Sequence, residues 1–183
     1  MFRRPLGLPF RRTRAGEVPP ALRKANQLMA AGHYDAAAGI YEQFARAAKA
    51  RNGPRAPWFF FQAGSARLKA GQLQPGMAHV RQGLALLAGR GQYQRLANVG
   101  LRFANELKAE SHSAEAQAFS AYVKSLLPEG FTARTEPVMD KVKRVLPVNC
   151  PGCGAPLRSD EVEWADELTA ECPYCGSAVR AEV

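Results

Sequence analysis

All four cysteines of this 183-residue chain lie between positions 150 and 175, and their spacing is the first chemical signal in it. Cys150-Pro151-Gly152-Cys153-Gly154 is followed by Cys172-Pro173-Tyr174-Cys175-Gly176, so two C-x2-C pairs are separated by eighteen residues. A C-x2-C turns tightly enough to aim both sulfurs at one ion. The proline fixes φ on entry, and the glycine after the second cysteine permits positive φ on exit. Two such knuckles offer the tetrahedral thiolate set that Zn²⁺ favours. Three other chemistries use cysteine pairs. A thioredoxin-like redox pair needs one C-x-x-C on a βαβ scaffold, which the pattern lacks, and disulfides need an oxidising compartment. An iron centre of the rubredoxin type uses the same knuckles, with a richer aromatic core than Trp164 and Tyr174 provide.

Between the knuckles, Glu161-Val162-Glu163-Trp164 and Leu168-Thr169-Ala170-Glu171 read as a hairpin around Ala165-Asp166-Glu167, and Ala178-Val179-Arg180 as a third strand. The whole of 148–182, and "CPGCGAPL…CPYCGSAV" in particular, is similar to the zinc-ribbon family. The resemblance implies Cys150, Cys153, Cys172 and Cys175 as ligands of one zinc per chain. With thiolates in all four positions, no site is left for water or substrate, and the zinc is expected to be structural. About 35 residues bury too little apolar surface to fold alone, so the metal is expected to hold them together. Asp160, Glu161, Glu163, Asp166, Glu167 and Glu171 would repel phosphate. A protein contact, including one to the basic helices of the same chain, is the better expectation for this part.

The elements that position the knuckles differ in composition. The formal charge is +9, from 25 Lys+Arg and 16 Asp+Glu, but it is unevenly placed. Residues 1–20 carry +4, 21–127 carry +9, 128–149 carry +1 and 150–183 carry −5. Of 32 alanines, 25 lie in 21–127, where they favour helix and close helix approach. The expected organisation is a basic arm (1–18), a helical domain (19–128), a linker (129–147) and the cysteine domain (148–183).

Glycines and prolines divide the helical domain into six segments, about 20–31, 34–51, 56–70, 75–88, 92–109 and 112–127. Each has an apolar stripe at helical spacing, for example Met77, Val80, Leu84 and Leu87, or Leu96, Val99, Phe103 and Leu107. Short connections make successive helices antiparallel. The fold expected is therefore mainly α: three antiparallel helical hairpins, as a short α-solenoid or bundle, plus a small β zinc ribbon.

The turns repeat. Gly32, Gly71 and Ser111 stand 39 and then 40 residues apart, each followed five places later by a small residue, Ala37, Gly76 or Ala116. "AGHYDAAAGIYEQFARA" resembles the tetratricopeptide repeat, although the period is longer than that family's, Gly76 and Gly83 stand where alanines are usual, and the third unit lacks the turn glycine. The resemblance implies a concave groove, lined by the first helix of each pair, that takes extended peptides or partner helices. Some members clamp a terminal carboxylate. Asn26 and Arg102 match two clamp positions, while Leu22, Gln62 and Asn98 depart from it, so no clamp is expected. The aromatic run Trp58-Phe59-Phe60-Phe61 covers every side of a helix. It implies packing between hairpins or against the cysteine domain, with a docking patch as the alternative. His33, His79 and His112 share no ligand spacing and read as surface residues.

The arm, "MFRRPLGLPFRRTRAGEVPP", joins basic pairs to Phe2, Leu6, Leu8 and Phe10, with prolines that oppose a regular helix. A flexible tail, a docking arm, or a contact to anionic lipid or nucleic acid are its readings. Val138, Val142, Val145 and Leu146 suggest a short amphipathic turn that covers a groove. No catalytic constellation appears: no phosphate-binding glycine loop, metalloprotease His pair, or Ser/His/Asp or Cys/His set. No apolar run is long enough to span a bilayer, and no secretory signal follows the basic start. The expectation is a cytoplasmic, non-enzymatic adaptor or scaffold, with a protein partner on the helices and the zinc ribbon as a second contact. An RNA- or ribosome-associated factor using the arm and basic helices is the alternative, and a peripheral membrane protein held by the arm the third. The sequence does not set the oligomeric state.

Overall fold

A computed structural model describes residues 19–132, 145–159, 161–164 and 168–182. The arm (1–18), Val138 and Val142 of the linker, Asp160 and the Ala165-Asp166-Glu167 turn lie outside the described residues. Six helices come first, α1 (Pro20–Ala30), α2 (Tyr34–Ala50), α3 (Ala56–Lys69), α4 (Leu73–Gly89), α5 (Tyr93–Ala109) and α6 (Ser113–Ser125). A three-stranded sheet follows, β1 (Glu163–Trp164), β2 (Thr169–Glu171) and β3 (Ala178–Arg180), in the order β1-β2-β3. Both strand pairs are antiparallel, with Glu163 opposite Glu171 and Ala170 opposite Val179.

The helix boundaries follow the turn chemistry. Gly32, Gly71 and Gly91 take φ of 80°, 75° and 68°. Beyond each, the chain closes the preceding helix with a backbone hydrogen bond, His33 N to Leu28 O at 2.9 Å, Gln72 N to Arg67 O at 2.8 Å and Gln92 N to Leu87 O at 3.0 Å. Ser111 adopts the same left-handed conformation, φ 65°, and His112 N bonds Leu107 O at 2.8 Å. The third unit thus keeps the turn without its glycine. Helix α4 begins two residues before the expected Pro75, at Leu73, because a proline in the first turn removes an N–H that has no helical partner there.

Each helix packs mainly on its sequence neighbours, as in a bundle or solenoid, with α2–α3 and α3–α4 the most extensive contacts. Two glycines explain the closeness of α3 and α4. A methyl on Gly76 would stand 2.9 Å from the Gly64 carbonyl, and one on Gly83 would run into the Phe61 ring. At Gly76, where the other units have Ala37 and Ala116, the α3 backbone occupies the space, and at Gly83 the Phe61 ring does. On α5, Gly100 makes room for Val123 of α6 in the same way. Across the α2–α3–α4 side, Arg67 Nε donates to Glu42 at 2.7 Å, and His79 Nε2 lies 3.1 Å from the same carboxylate oxygen. His79 also stacks on Phe60 and is mostly buried, so it is a packing residue rather than the surface one expected. His33 is exposed and His112 half-buried.

All four residues of the aromatic run are buried, between 2% and 7% exposed, which removes the docking-patch reading. Phe59 meets Phe44 of α2, while Trp58 meets both Phe61 and Tyr174 of the second knuckle. The buried residues of the helices and of the cysteine segment form one continuous cluster. Val145 pairs with Glu182 as an antiparallel bridge. The end of the linker thus pairs with the chain just beyond β3, where Val145 and Leu146 suggested an amphipathic turn.

Candidate metal centre

The two knuckles are built alike. In the first, Cys150 N donates to Ala155 O at 2.8 Å and Gly154 N to Cys150 O at 2.8 Å. In the second, Cys172 N donates to Ser177 O at 2.9 Å and Gly176 N to Cys172 O at 2.8 Å. Gly154 and Gly176 have φ of 78° and 77°, the positive values that the glycine after each second cysteine was expected to supply. Each knuckle sits at the tip of a short antiparallel pairing. The Asn149–Pro156 bridge carries the first, and the β2–β3 ladder carries the second.

This geometry brings the four sulfurs within 4.8 Å of one another. Cys150 Sγ lies 3.7 Å from Cys175 Sγ, and Cys153 Sγ lies 3.9 Å from Cys172 Sγ. A disulfide would need about 2.05 Å. A tetrahedron with metal–sulfur bonds of about 2.3 Å has edges of about 3.8 Å, and the observed separations match it. Cys150, Cys153 and Cys172 are buried and Cys175 is half-buried. The Ser177 hydroxyl lies 3.2 Å from Cys175 Sγ, within hydrogen-bond reach. The crowding polarises the set: hydrogen bonds from Cys153 and Cys172 hold the Cys175 thiol far below its usual range. Hydrogen bonds to Cys172 and Cys175, with burial, push Cys153 up. The four sulfurs together could hold a metal ion.

The helices supply the rest of the surroundings. Asn26 on α1 is buried, and its Nδ2 donates to the Cys153 carbonyl at 2.5 Å while its Oδ1 accepts from the Tyr41 hydroxyl at 2.5 Å. Burial, and then the neighbouring Cys153, raise the Tyr41 phenol well above its usual range. Tyr174 is held between Trp58 and a hydrogen bond with Gln62 of α3, and burial pushes its phenol up to about 12 against the opposing pull of Arg102. Three ion pairs close the seam. Arg55 meets Glu171 at 2.9 Å, Arg95 meets Glu163 at 2.7 Å, and Arg102 meets Glu161. The Arg55 guanidinium also lies over Gly176, where any side chain would collide with it.

No family model, curated protein or solved structure matches this chain.

Some of these residues were visible in sequence under another reading. Asn26 and Arg102, matched to clamp positions, do point to one shared surface, and so does Gln62, which was counted as a departure. Their partners are the chain's own knuckles and glutamates. The face made by α1, α3 and α5, the first helix of each pair, is thus the face on which the cysteine segment lies, not an open groove. Leu22, another departure, is buried, while Asn98 accepts a hydrogen bond from Gln94 on its own helix. Glu161 was expected in the hairpin strand. Instead its backbone N bonds Arg158 O in a turn before β1, and its side chain is 2% exposed beneath Arg102. Tyr41 and Arg55 were missed altogether. The available clue was Asn26 itself, a polar residue on an apolar helix stripe, since a buried amide needs partners from elsewhere.

Proposed function

We propose that this chain is a non-enzymatic adaptor, a tetratricopeptide-like helical body that carries a zinc ribbon with a single structural Zn²⁺. The four-thiolate cluster carries the reading. Cys150, Cys153, Cys172 and Cys175 would fill all four positions of a tetrahedral ion, which leaves no site for water or substrate. Thiolate ligands also suit a reducing compartment, in keeping with the cytoplasm.

Charge supports the adaptor part. The ribbon's glutamates engage three arginines of the body, and the sequence of 21–127 and of the arm leaves a further excess of basic side chains. That excess suits an anionic partner, and an acidic protein surface is the one proposed. The ion pairs with the ribbon take away the arginines that would otherwise continue a phosphate-tracking stripe across the first-helix face.

Metal analysis of the purified chain should find about one zinc per polypeptide, and a clearly lower content would sink the zinc ribbon. Affinity purification with mass spectrometry, comparing the full chain with a version lacking 1–18, should recover a stoichiometric protein partner that resists nuclease. Recovery of nuclease-sensitive, salt-sensitive RNA instead would overturn the adaptor in favour of an RNA-associated factor.

A further inference from the structure

The contact between α1 and the first knuckle differs in kind from the ion pairs around it. It is a buried relay from the Tyr41 hydroxyl to Asn26 Oδ1, and from Asn26 Nδ2 to the Cys153 carbonyl, with both links at 2.5 Å. Asn26 and Tyr41 are 8% and 1% exposed, so water does not substitute for either link. The amide has one orientation that satisfies both neighbours. Its oxygen faces a hydroxyl donor, and its nitrogen faces a carbonyl that can only accept. Tyr41 thereby sets which way Asn26 points, and Asn26 sets where the Cys153 carbonyl lies. That carbonyl follows the second ligand of the first knuckle, in the tight turn that aims Cys150 and Cys153 at a common point. The Cβ of Asn26 also approaches within about 3.8 Å of the space a side chain at Gly154 would fill, so the helix abuts the knuckle's exit as well.

We infer that Asn26, oriented by Tyr41, is a positioning residue of the metal centre, so that the helical body, more than a hundred residues away in sequence, helps to retain the ion. This rests on the zinc-ribbon reading above. Groups that hold the atoms behind metal ligands commonly change metal affinity 10–100-fold when removed. Here one comes from a helix of the repeat body, and metal retention and helix packing become two sides of one linkage.

The test uses the full chain loaded with Co²⁺, whose thiolate charge-transfer and ligand-field bands report the geometry of the site. Each protein is challenged with excess EDTA and the bands are followed in time. Asn26→Asp keeps the size of the side chain and an acceptor for Tyr41 but turns an oxygen towards the Cys153 carbonyl. It should shift the ligand-field bands and release cobalt at least about tenfold faster than the parent. Tyr41→Phe keeps the packing, frees the amide to rotate, and should accelerate release by a smaller factor. Arg95→Ala, which cuts a largely solvated contact to β1 and touches no atom of the Tyr41–Asn26–Cys153 relay, should leave bands and release within about twofold of the parent.

Should Asn26→Asp fail to fold, as judged by far-ultraviolet ellipticity, Tyr41→Phe alone decides. Unchanged bands and release in the variants that fold would overturn the inference, as would equal acceleration by Arg95→Ala. A parent chain that takes up no cobalt or zinc would instead remove the zinc reading on which the inference stands.

Discussion

Glu161 and Glu163 stand two positions apart and each meets an arginine of α5, yet the two pairs have different energetic weight. Glu163 is 65% exposed and its pairing with Arg95 is largely solvated, which leaves such a contact worth about 0–1 kcal/mol. Glu161 is 2% exposed, so its charge has lost its water and depends on Arg102. Removing one partner of a buried pair strands the other, at a cost of about 3–5 kcal/mol. Arg102→Ala is therefore expected to lower the unfolding free energy by about 3 kcal/mol or more, and Arg95→Ala by under about 1 kcal/mol. Urea unfolding of the two variants side by side measures the difference. Equal, small losses would show that Glu161 finds water or another donor when Arg102 is gone.

Among the elements, the turns are the informative level. Five helix ends close with the same left-handed residue, three of them glycine and the other two Asn52 and Ser111. A side chain in that conformation costs about 1 kcal/mol relative to glycine, because its Cβ crowds the following carbonyl. Asparagine tolerates that conformation better than serine does, so the strain is greater at Ser111 than at Asn52. Ser111→Gly should raise stability by up to about 1 kcal/mol, while Gly71→Ala, which meets no neighbour but carries φ 75°, should lower it by a similar amount. Thermal melts of both variants check the pair of signs. At Gly83 the conflict is with the Phe61 ring, and the conformation plays no part. Phe61 of α3 and Gly83 of α4 are thus one packing solution read from two helices.

For the molecule as a whole, the decisive feature is that the cysteine segment and the helices share one buried cluster. A ribbon tethered by a linker would lose its metal without any effect on the helices. Here the first knuckle seats Asn26 and Tyr174 of the second meets Trp58, so removal of the proposed metal is expected to expose apolar surface on α1 and α3 as well. Ligand binding to the folded state alone stabilises everything that unfolds with it. In a cobalt-loaded sample, melting followed by far-ultraviolet ellipticity and by the thiolate–cobalt band should give coincident transitions, and chelation should move the helical transition to lower temperature. Two separated transitions, with helices indifferent to chelator, would mean that the seam contributes little.

Six helices, their packing on sequence neighbours and the four-cysteine cluster were all legible in the residues, because they rest on local rules. Glycine and proline stop helices, apolar residues recur at 3.6 spacing, and C-x2-C turns converge their own sulfurs whatever surrounds them. The opposite charges of 21–127 and 150–183 even pointed to the two parts meeting. The seat of the cysteine segment was not legible, because it depends on pairs such as Asn26 and Cys153, 127 positions apart, whose side-chain chemistry is satisfied only once both parts are folded. The same holds for Glu161, a strand residue by pattern that the tertiary structure turns inward to Arg102. Local sequence determined the pieces and their chemistry. Tertiary packing decided that the face made by the first helix of each pair is covered from within the chain, since only there do a buried amide, a phenol and three carboxylates all find partners.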